Sequence, residues 1–290
     1  ISCSLVGSEM CIRDRYRTGA TLKWFDLTED GRIRSDTADE VITEHTKVVA
    51  ITHVGNTTGA ITDIAPIIRR AHEVGAIFIL DACQSVPHLK VNFHALDVDF
   101  AAWSAHKMYG PTGVGFLYGR RELLEALPPA NFGGSMVELA WMDQPAQYMV
   151  PPARFEAGTQ PVAQVVAAGV AAEWMMNVGL ENIEAHERTI AAELLKMGDI
   201  DGVRILGPRE NVNRIGTVAF DVAGVHPHDV GQFIDAQGIA IRVGHHCAQP
   251  VHRHFGLYAS NRASSGVYNS VDDAHALVEA VAKVRPFFGL

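Results

Sequence analysis

Lys107 stands in the segment Ala101-Ala102-Trp103-Ser104-Ala105-His106-Lys107-Met108-Tyr109-Gly110-Pro111, directly after an apolar run. A lysine just past a strand end, partly shielded from water, has a lowered amine pKa and forms Schiff bases with aldehydes. Taken alone, the same residue reads more readily as a solvated loop lysine. Asp81 closes the run Ala76-Ile77-Phe78-Ile79-Leu80, so its carboxylate is expected to be buried and paired with a cation or strong donor, or else to cap a helix. Cys247 is flanked by His245 and His246, groups that lower a thiol pKa or shuttle protons, and the thiolate is the reactive form. With His252 and His254 nearby, the same stretch also offers zinc ligands. It lacks the paired CxxC spacing of structural zinc sites and joins a strand to a loop, so no metal is expected. Cys83 reads as a small buried filler. Arg262 is suited to clamp a carboxylate in bidentate fashion or to form a surface ion pair, and Asn56 is equally a turn residue or a ligand contact.

These groups must be positioned by strand ends. Val48–Thr52 reads as an apolar strand, and Asp63 can cap a helix with Ile64, Ile67, Ile68 and Ala71 at helical spacing, Pro66 in its first turn and Gly75 as its stop. Ala76–Leu80 follows as a second continuous apolar strand. Strand, helix and strand, both strands apolar throughout, predict a parallel sheet covered on both faces. A third run, Val98–Trp103, leads into the lysine segment, and Gly113–Tyr118 returns as another strand. In such sheets ligands collect outside the carboxyl ends of the strands, where Asp81, Ser104, His106 and Lys107 would converge. A β-like Thr21–Phe25 precedes this unit, and residues 128–152, rich in Gly and Pro, read as long loops that are functional or cover an interface.

A mostly apolar helix is expected between Pro161 and Val178, and beyond Gly179 the texture becomes compact α/β. Helices are expected near 183–197, 229–237 and 272–284, with strands at 203–206, 217–220 and 239–242. The expected organisation is a leader at 1–15, a large domain at 16–177 and a small domain at 178–290. Residues 1–15 have no helical or strand period and resemble translated adaptor sequence, so they are set aside along with Cys3 and Cys11.

The chain has 290 residues, enough for two domains without disulfide or metal staples. Its 24 basic and 33 acidic residues give a charge of -9, against a nucleic-acid surface as main partner. No apolar run approaches membrane-spanning length, and four cysteines without a CxxC pair fit a reducing, cytoplasmic compartment.

The ordered motifs Asp81-Ala82-Cys83-Gln84, Ser104-Ala105-His106-Lys107, Tyr109-Gly110-Pro111-Thr112-Gly113, Gly133-Gly134-Ser135-Met136, Arg154-Phe155-Glu156-Ala157-Gly158-Thr159, Arg242-Val243-Gly244-His245-His246-Cys247-Ala248 and Arg262-Ala263-Ser264 resemble the fold-type I, class V aminotransferase-like enzymes. Among these they are similar to the Suf-type cysteine desulfurases, from about Tyr16 to the last residue. The resemblance implies an α/β fold with a mostly parallel central sheet and a smaller C-terminal α/β domain. It also implies pyridoxal 5'-phosphate as cofactor, with Lys107 as the Schiff-base lysine that moves the substrate α-proton. Asp81 would face the pyridine nitrogen, Gln84 the ring oxygen, and Ser104 and His106 the phosphate. Asn56 would lie beside the ring oxygen and substrate carboxylate, and Arg262 would clamp that carboxylate. Cys247 would take sulfur from L-cysteine as a persulfide and pass it to an acceptor protein of iron–sulfur assembly. A homodimer is implied, Thr159 reaching the neighbour's cofactor phosphate.

Two departures qualify the match. His53-Val54-Gly55-Asn56-Thr57-Thr58-Gly59 fits the family pattern imperfectly, and relatives carry a preceding segment with a phosphate loop and a ring-stacking histidine that residues 1–15 do not supply. The expectation is therefore an N-terminally truncated enzyme. The alternatives are selenocysteine lysis, another class V reaction, or an inactive fragment.

Overall fold

A computed structural model describes residues 2–4, by backbone alone, and 19–290. Six strands form the main sheet: β1 (Ser2–Ser4), β2 (Lys23–Phe25), β3 (Val48–Thr52), β4 (Ile77–Asp81), β5 (Phe100–Ser104) and β6 (Gly115–Gly119). Their order is β2-β1-β3-β4-β5-β6, parallel except for β6, which runs antiparallel to β5. The register aligns Thr52, Asp81 and Ala102, so the segments following β3, β4 and β5 leave one edge of the sheet together.

Helix α1 (Ala38–Val41) is short, and α2 (Ala65–Glu73) crosses from β3 to β4. The predicted apolar face is the buried one: Ile64, Ile67, Ile68 and Ala71 pack with Val49, Ile51, Phe78 and Leu80 in one core. Each fully buried side chain of this size contributes roughly 1.5–3 kcal/mol. Asp63 Oδ1 accepts the Ala65 N–H, and Gly75 stops the helix at φ 71°. The expectation of a sheet covered on both faces is only half met, because Val48, Ala50, Ile77 and Ile79 are half-exposed while their alternating neighbours are buried.

The structure differs from the sequence reading at several points. It inserts the backbone of Ser2–Ser4, from the segment set aside, between β2 and β3. Parallel pairing uses backbone N–H and C=O groups, which any sequence offers. Cys11 lies outside the described residues. After α3 (Arg121–Ala126), the stretch read as loops contains a small ribbon of β7 (Val137–Leu139) and β8 (Gln147–Tyr148).

Helix α4 (Val162–Val178) is apolar nearly all round and leaves Val162, Val165, Val166, Val170 and Trp174 exposed. Gly179, at φ 90°, turns the chain by 76° into α5 (Leu180–Leu194). Among the described residues no single helix is long and apolar enough to cross a membrane.

The last hundred residues build a four-stranded antiparallel sheet from β9 (Val203–Leu206), β10 (Thr217–Val222), β11 (Arg242–Gly244) and β12 (Ser260–Ser264), in the order β11-β12-β10-β9. Helices α6 (Pro227–Asp235), α7 (Gln249–His254) and α8 (Val271–Phe287) accompany it. The strand read at 239–242 begins at Arg242, and neither α7 nor β12 was anticipated, since Ser-Asn-Arg-Ala-Ser carries no apolar alternation. The two sheets share packing: Leu206, Ala219, Ala248, Val251 and Phe255 belong to the core under the main sheet. Gly59, at φ 68°, lies so close to β10 that a Cβ would stand 2.3 Å from the Thr217 carbonyl.

Candidate active site

Two clusters meet at the sheet edge where β3, β4 and β5 end. In the first, Ser104 closes β5 and a 3-10 turn, Ala105–Lys107, carries His106 and Lys107 past it. Across the register Asp81 closes β4, its Oδ1 accepting the Cys83 N–H at 3.0 Å. Asp81 is half-buried rather than buried, and it anchors a turn through Cys83 instead of pairing with a cation. Cys83 reports what surrounds it: burial and then the Asp81 carboxylate push its thiol up to about 11, while Lys107 and Ser104 pull it partly back. Asp81, Cys83, Ser104 and Lys107 therefore occupy one place. Lys107 is half-buried, and its amine makes no hydrogen bond or ion pair among the described residues. Gln84 is half-buried in the same turn, and His106 is exposed.

The second cluster comes from the small sheet. Cys247 is exposed on an arm between β11 and α7, and both His246 (φ 52°) and Cys247 (φ 61°) adopt left-handed backbone. Non-glycine residues in that region cost of order 1–3 kcal/mol each and persist only where neighbours enforce them. One enforcing contact is Asn56 Nδ2, four residues past β3, which donates to the His246 carbonyl at 2.6 Å. Arg262 Nη1 donates to the Asn56 carbonyl at 3.0 Å. Asn56 thus fastens the cysteine arm and Arg262 to the edge that carries Asp81 and Lys107.

Two arginines follow from the register of the small sheet, where Arg242 pairs directly with Arg262. Like charges opposite one another are destabilising unless an anion joins them. Arg242 Nη2 lies 3.8 Å from Cys247 Sγ, and Arg262 Nε is buried without a hydrogen-bond partner among the described residues. Burial and Arg242 hold the Arg262 guanidinium below its usual pKa, and the Cys247 thiol offsets them. The cation beside the thiol is accordingly Arg242, which the sequence reading quoted within a motif but gave no role. His246 does not act on the thiol through positive charge: burial, then Arg262, His252 and Arg242, push the His246 ring down to about 3, so the ring is neutral near pH 7. His245 packs edge-on against Tyr258, and His254 donates from Nε2 to the Thr28 carbonyl. Thr159 is exposed in the turn before α4.

The residues present fit an anionic, aldehyde-bearing ring: an unpartnered half-buried amine, a carboxylate beside it, and hydroxyl, amide and imidazole groups around them. They also fit a carboxylate ligand, since a buried guanidinium N–H lacks an acceptor.

The fold is the α/β fold of the pyridoxal-phosphate fold-type I class. The aminotransferase class-V family model matches residues 9–277, and the chain belongs to that family, which is pyridoxal 5'-phosphate-dependent. A probable cysteine desulfurase 2 of Mycobacterium leprae is 50% identical over 274 residues, 94% of this chain and 65% of that protein. A probable cysteine desulfurase of Streptomyces coelicolor is 46% identical, with the same coverage. The chain thus spans about 65% of the length of these curated relatives. The crystal structure of the cysteine desulfurase CsdA from Escherichia coli, in its S-sulfonic acid form, superposes with a TM-score of 0.93 at 33% identity, covering 99% of this chain and 72% of that one. An apo cysteine desulfurase from Thermococcus onnurineus gives the same TM-score at 32% identity, covering 100% and 73%.

Proposed function

We propose that this chain carries the cofactor-holding and sulfur-accepting groups of a cysteine desulfurase that converts L-cysteine to L-alanine and passes sulfur to an acceptor protein of iron–sulfur assembly. The observation that carries this reading is the Asn56 bridge, which joins the Cys247 arm to the edge holding Asp81 and Lys107. Lys107 would hold pyridoxal 5'-phosphate, with Asp81 at the ring nitrogen, Gln84 and Asn56 near the ring oxygen, Ser104 and His106 at the phosphate, and Thr159 reaching a neighbour's phosphate. When bound, the cofactor supplies an electron sink for negative charge at the substrate Cα.

Arg262 Nε and its neighbouring N–H groups orient the substrate carboxylate. Lys107 Nζ takes the α-proton. The Cys247 thiolate, held beside Arg242, attacks the substrate sulfur: an S–S bond forms as the Cβ–S bond breaks. The electron pair of the broken bond passes to Cβ, which takes a proton from solvent, and Lys107 Nζ returns the α-proton to Cα. Alanine leaves, and Cys247 keeps one extra sulfur as a persulfide.

The exposed Val165, Val166, Val170 and Trp174 on α4 support a homodimer, because a second copy would cover them. The proposal extends to a cytoplasmic setting and to units 16–177 and 178–290, divided near Asn177.

The test is to add pyridoxal phosphate and L-cysteine to the purified chain. A visible-edge absorbance lost in Lys107→Ala, alanine release and a persulfide lost in Cys247→Ala are the expected results. Retained selenocysteine turnover in Cys247→Ala would favour a lyase. No Lys107-dependent absorbance would refute cofactor binding by this chain.

A further inference from the structure

Three polar side chains behind the Cys247 arm are buried: Ser260 is 0% exposed, and His246 and His252 are 1% exposed. His246 Nε2 lies 3.1 Å and His252 Nε2 2.9 Å from Ser260 Oγ, so one hydroxyl serves two rings. His252 Nδ1 lies 3.0 Å from the Ala248 carbonyl.

The protons in this string can be placed one by one. A carbonyl only accepts, so His252 Nδ1 carries hydrogen. Burial pushes the pKa of both rings down, so each is neutral near pH 7 and holds a single N–H. His252 Nε2 is then a bare acceptor for the Ser260 hydroxyl. With its one hydrogen spent, Ser260 Oγ accepts from His246 Nε2–H. His246 Nδ1 is left bare, and it is indeed buried without a partner.

The string ties three elements. Ala248 and His252 lie at the start and within α7, Ser260 opens β12, and His246 immediately precedes Cys247. Asn56 holds the His246 carbonyl. The ring and the carbonyl of His246 are therefore both fixed, which is what a left-handed pair at His246 and Cys247 requires.

We propose that Ser260 and His252 are positioning residues for Cys247, holding its thiol beside Arg242 through a single-tautomer His252–Ser260–His246 chain. This rests on the reading of Cys247 as the sulfur acceptor. The hydroxyl is the necessary part, since only a group that donates once and accepts once satisfies both rings.

Two measurements on the full chain test it. In long-range 1H–15N correlation spectra at pH 7, His252 should be protonated at Nδ1 and His246 at Nε2; either ring in the other tautomer, or doubly protonated, overturns the chain. In iodoacetamide alkylation followed by peptide mass spectrometry, Cys83 serves as the internal reference. Ser260→Ala should slow modification of Cys247 at least threefold relative to Cys83, and Ser260→Thr, which keeps the hydroxyl, should restore most of the rate. An unchanged Cys247 rate in Ser260→Ala, or parallel changes at both cysteines, overturns the positioning role. Sulfur release surviving in Cys247→Ala would instead sink the acceptor reading while leaving the tautomers as assigned.

Discussion

The Glu187–His88 pair offers the sharpest test of how the two halves are held together. Glu187, on α5, is 2% exposed, and both its carboxylate oxygens lie 2.8 Å from His88 Nδ1. His88 ends the turn that begins at Asp81, so the pair ties that turn to the helix after the Gly179 bend. Replacing His88 with Leu leaves a buried carboxylate with no other side-chain hydrogen bond among the described residues, and removing one partner of a buried pair costs about 3–5 kcal/mol. Replacing both residues with Leu removes the stranded charge, and such apolar replacements are near neutral. The double variant should therefore be more stable than His88→Leu, by at least about 1.5 kcal/mol if half the penalty is electrostatic. With a urea m-value of about 3 kcal/mol/M, the midpoint of His88→Leu should fall by about 1 M or more, read by tryptophan fluorescence. A loss under 1 kcal/mol in His88→Leu, or a double variant no better than the single, would refute the argument. The same variant should weaken pyridoxal-phosphate retention if the Asp81 turn depends on this anchor.

Other outcomes follow from the same structure. Burial pushes His53 down to about 4 and His246 to about 3, so both rings are neutral when folded while the unfolded chain protonates near 6.5. Their contribution is complete above that value and is lost as pH falls toward 4 and 3, each adding a slope of up to about 1.4 kcal/mol per pH unit. Urea midpoints that stay flat between pH 7 and 5 would contradict this, and His53→Gln should reduce the slope. Arg242→Ala should slow Cys247 alkylation severalfold at pH 7, with Arg242→Lys intermediate, because the guanidinium 3.8 Å from Sγ holds the sulfur in its attacking position. Val170→Arg, on the exposed face of α4, should shift sedimentation toward the monomer without changing the circular dichroism; a monomeric parent chain would remove the basis for a dimer across this face.

What the sequence disclosed and what it withheld divide along a physical line. The stretch from Val48 to Lys107 was legible because burial imposes a period: continuous apolar runs for strands, Ile64, Ile67, Ile68 and Ala71 for the helix, and polar groups placed where the strands stop. Asp81 was misjudged in degree for the same reason, since the run before it predicted two covered faces and one is only half covered. The Cys247 region depends instead on pairings between segments distant in sequence. Arg242 and Arg262 become neighbours through the β11–β12 register, and no local pattern in Ser-Asn-Arg-Ala-Ser announces that strand. Ser260 looks like an ordinary polar residue until two histidines from one arm and one short helix close on its hydroxyl. Motif resemblance singled out Cys247, but not what holds it: a neutral His246 cannot supply the positive charge that its position beside Cys247 suggested, and a cross-strand arginine lies there instead. Charge at this site is thus assigned by sheet register, and a substitution that slips β11 against β12 should disable the thiol while leaving Lys107 and Asp81 in place.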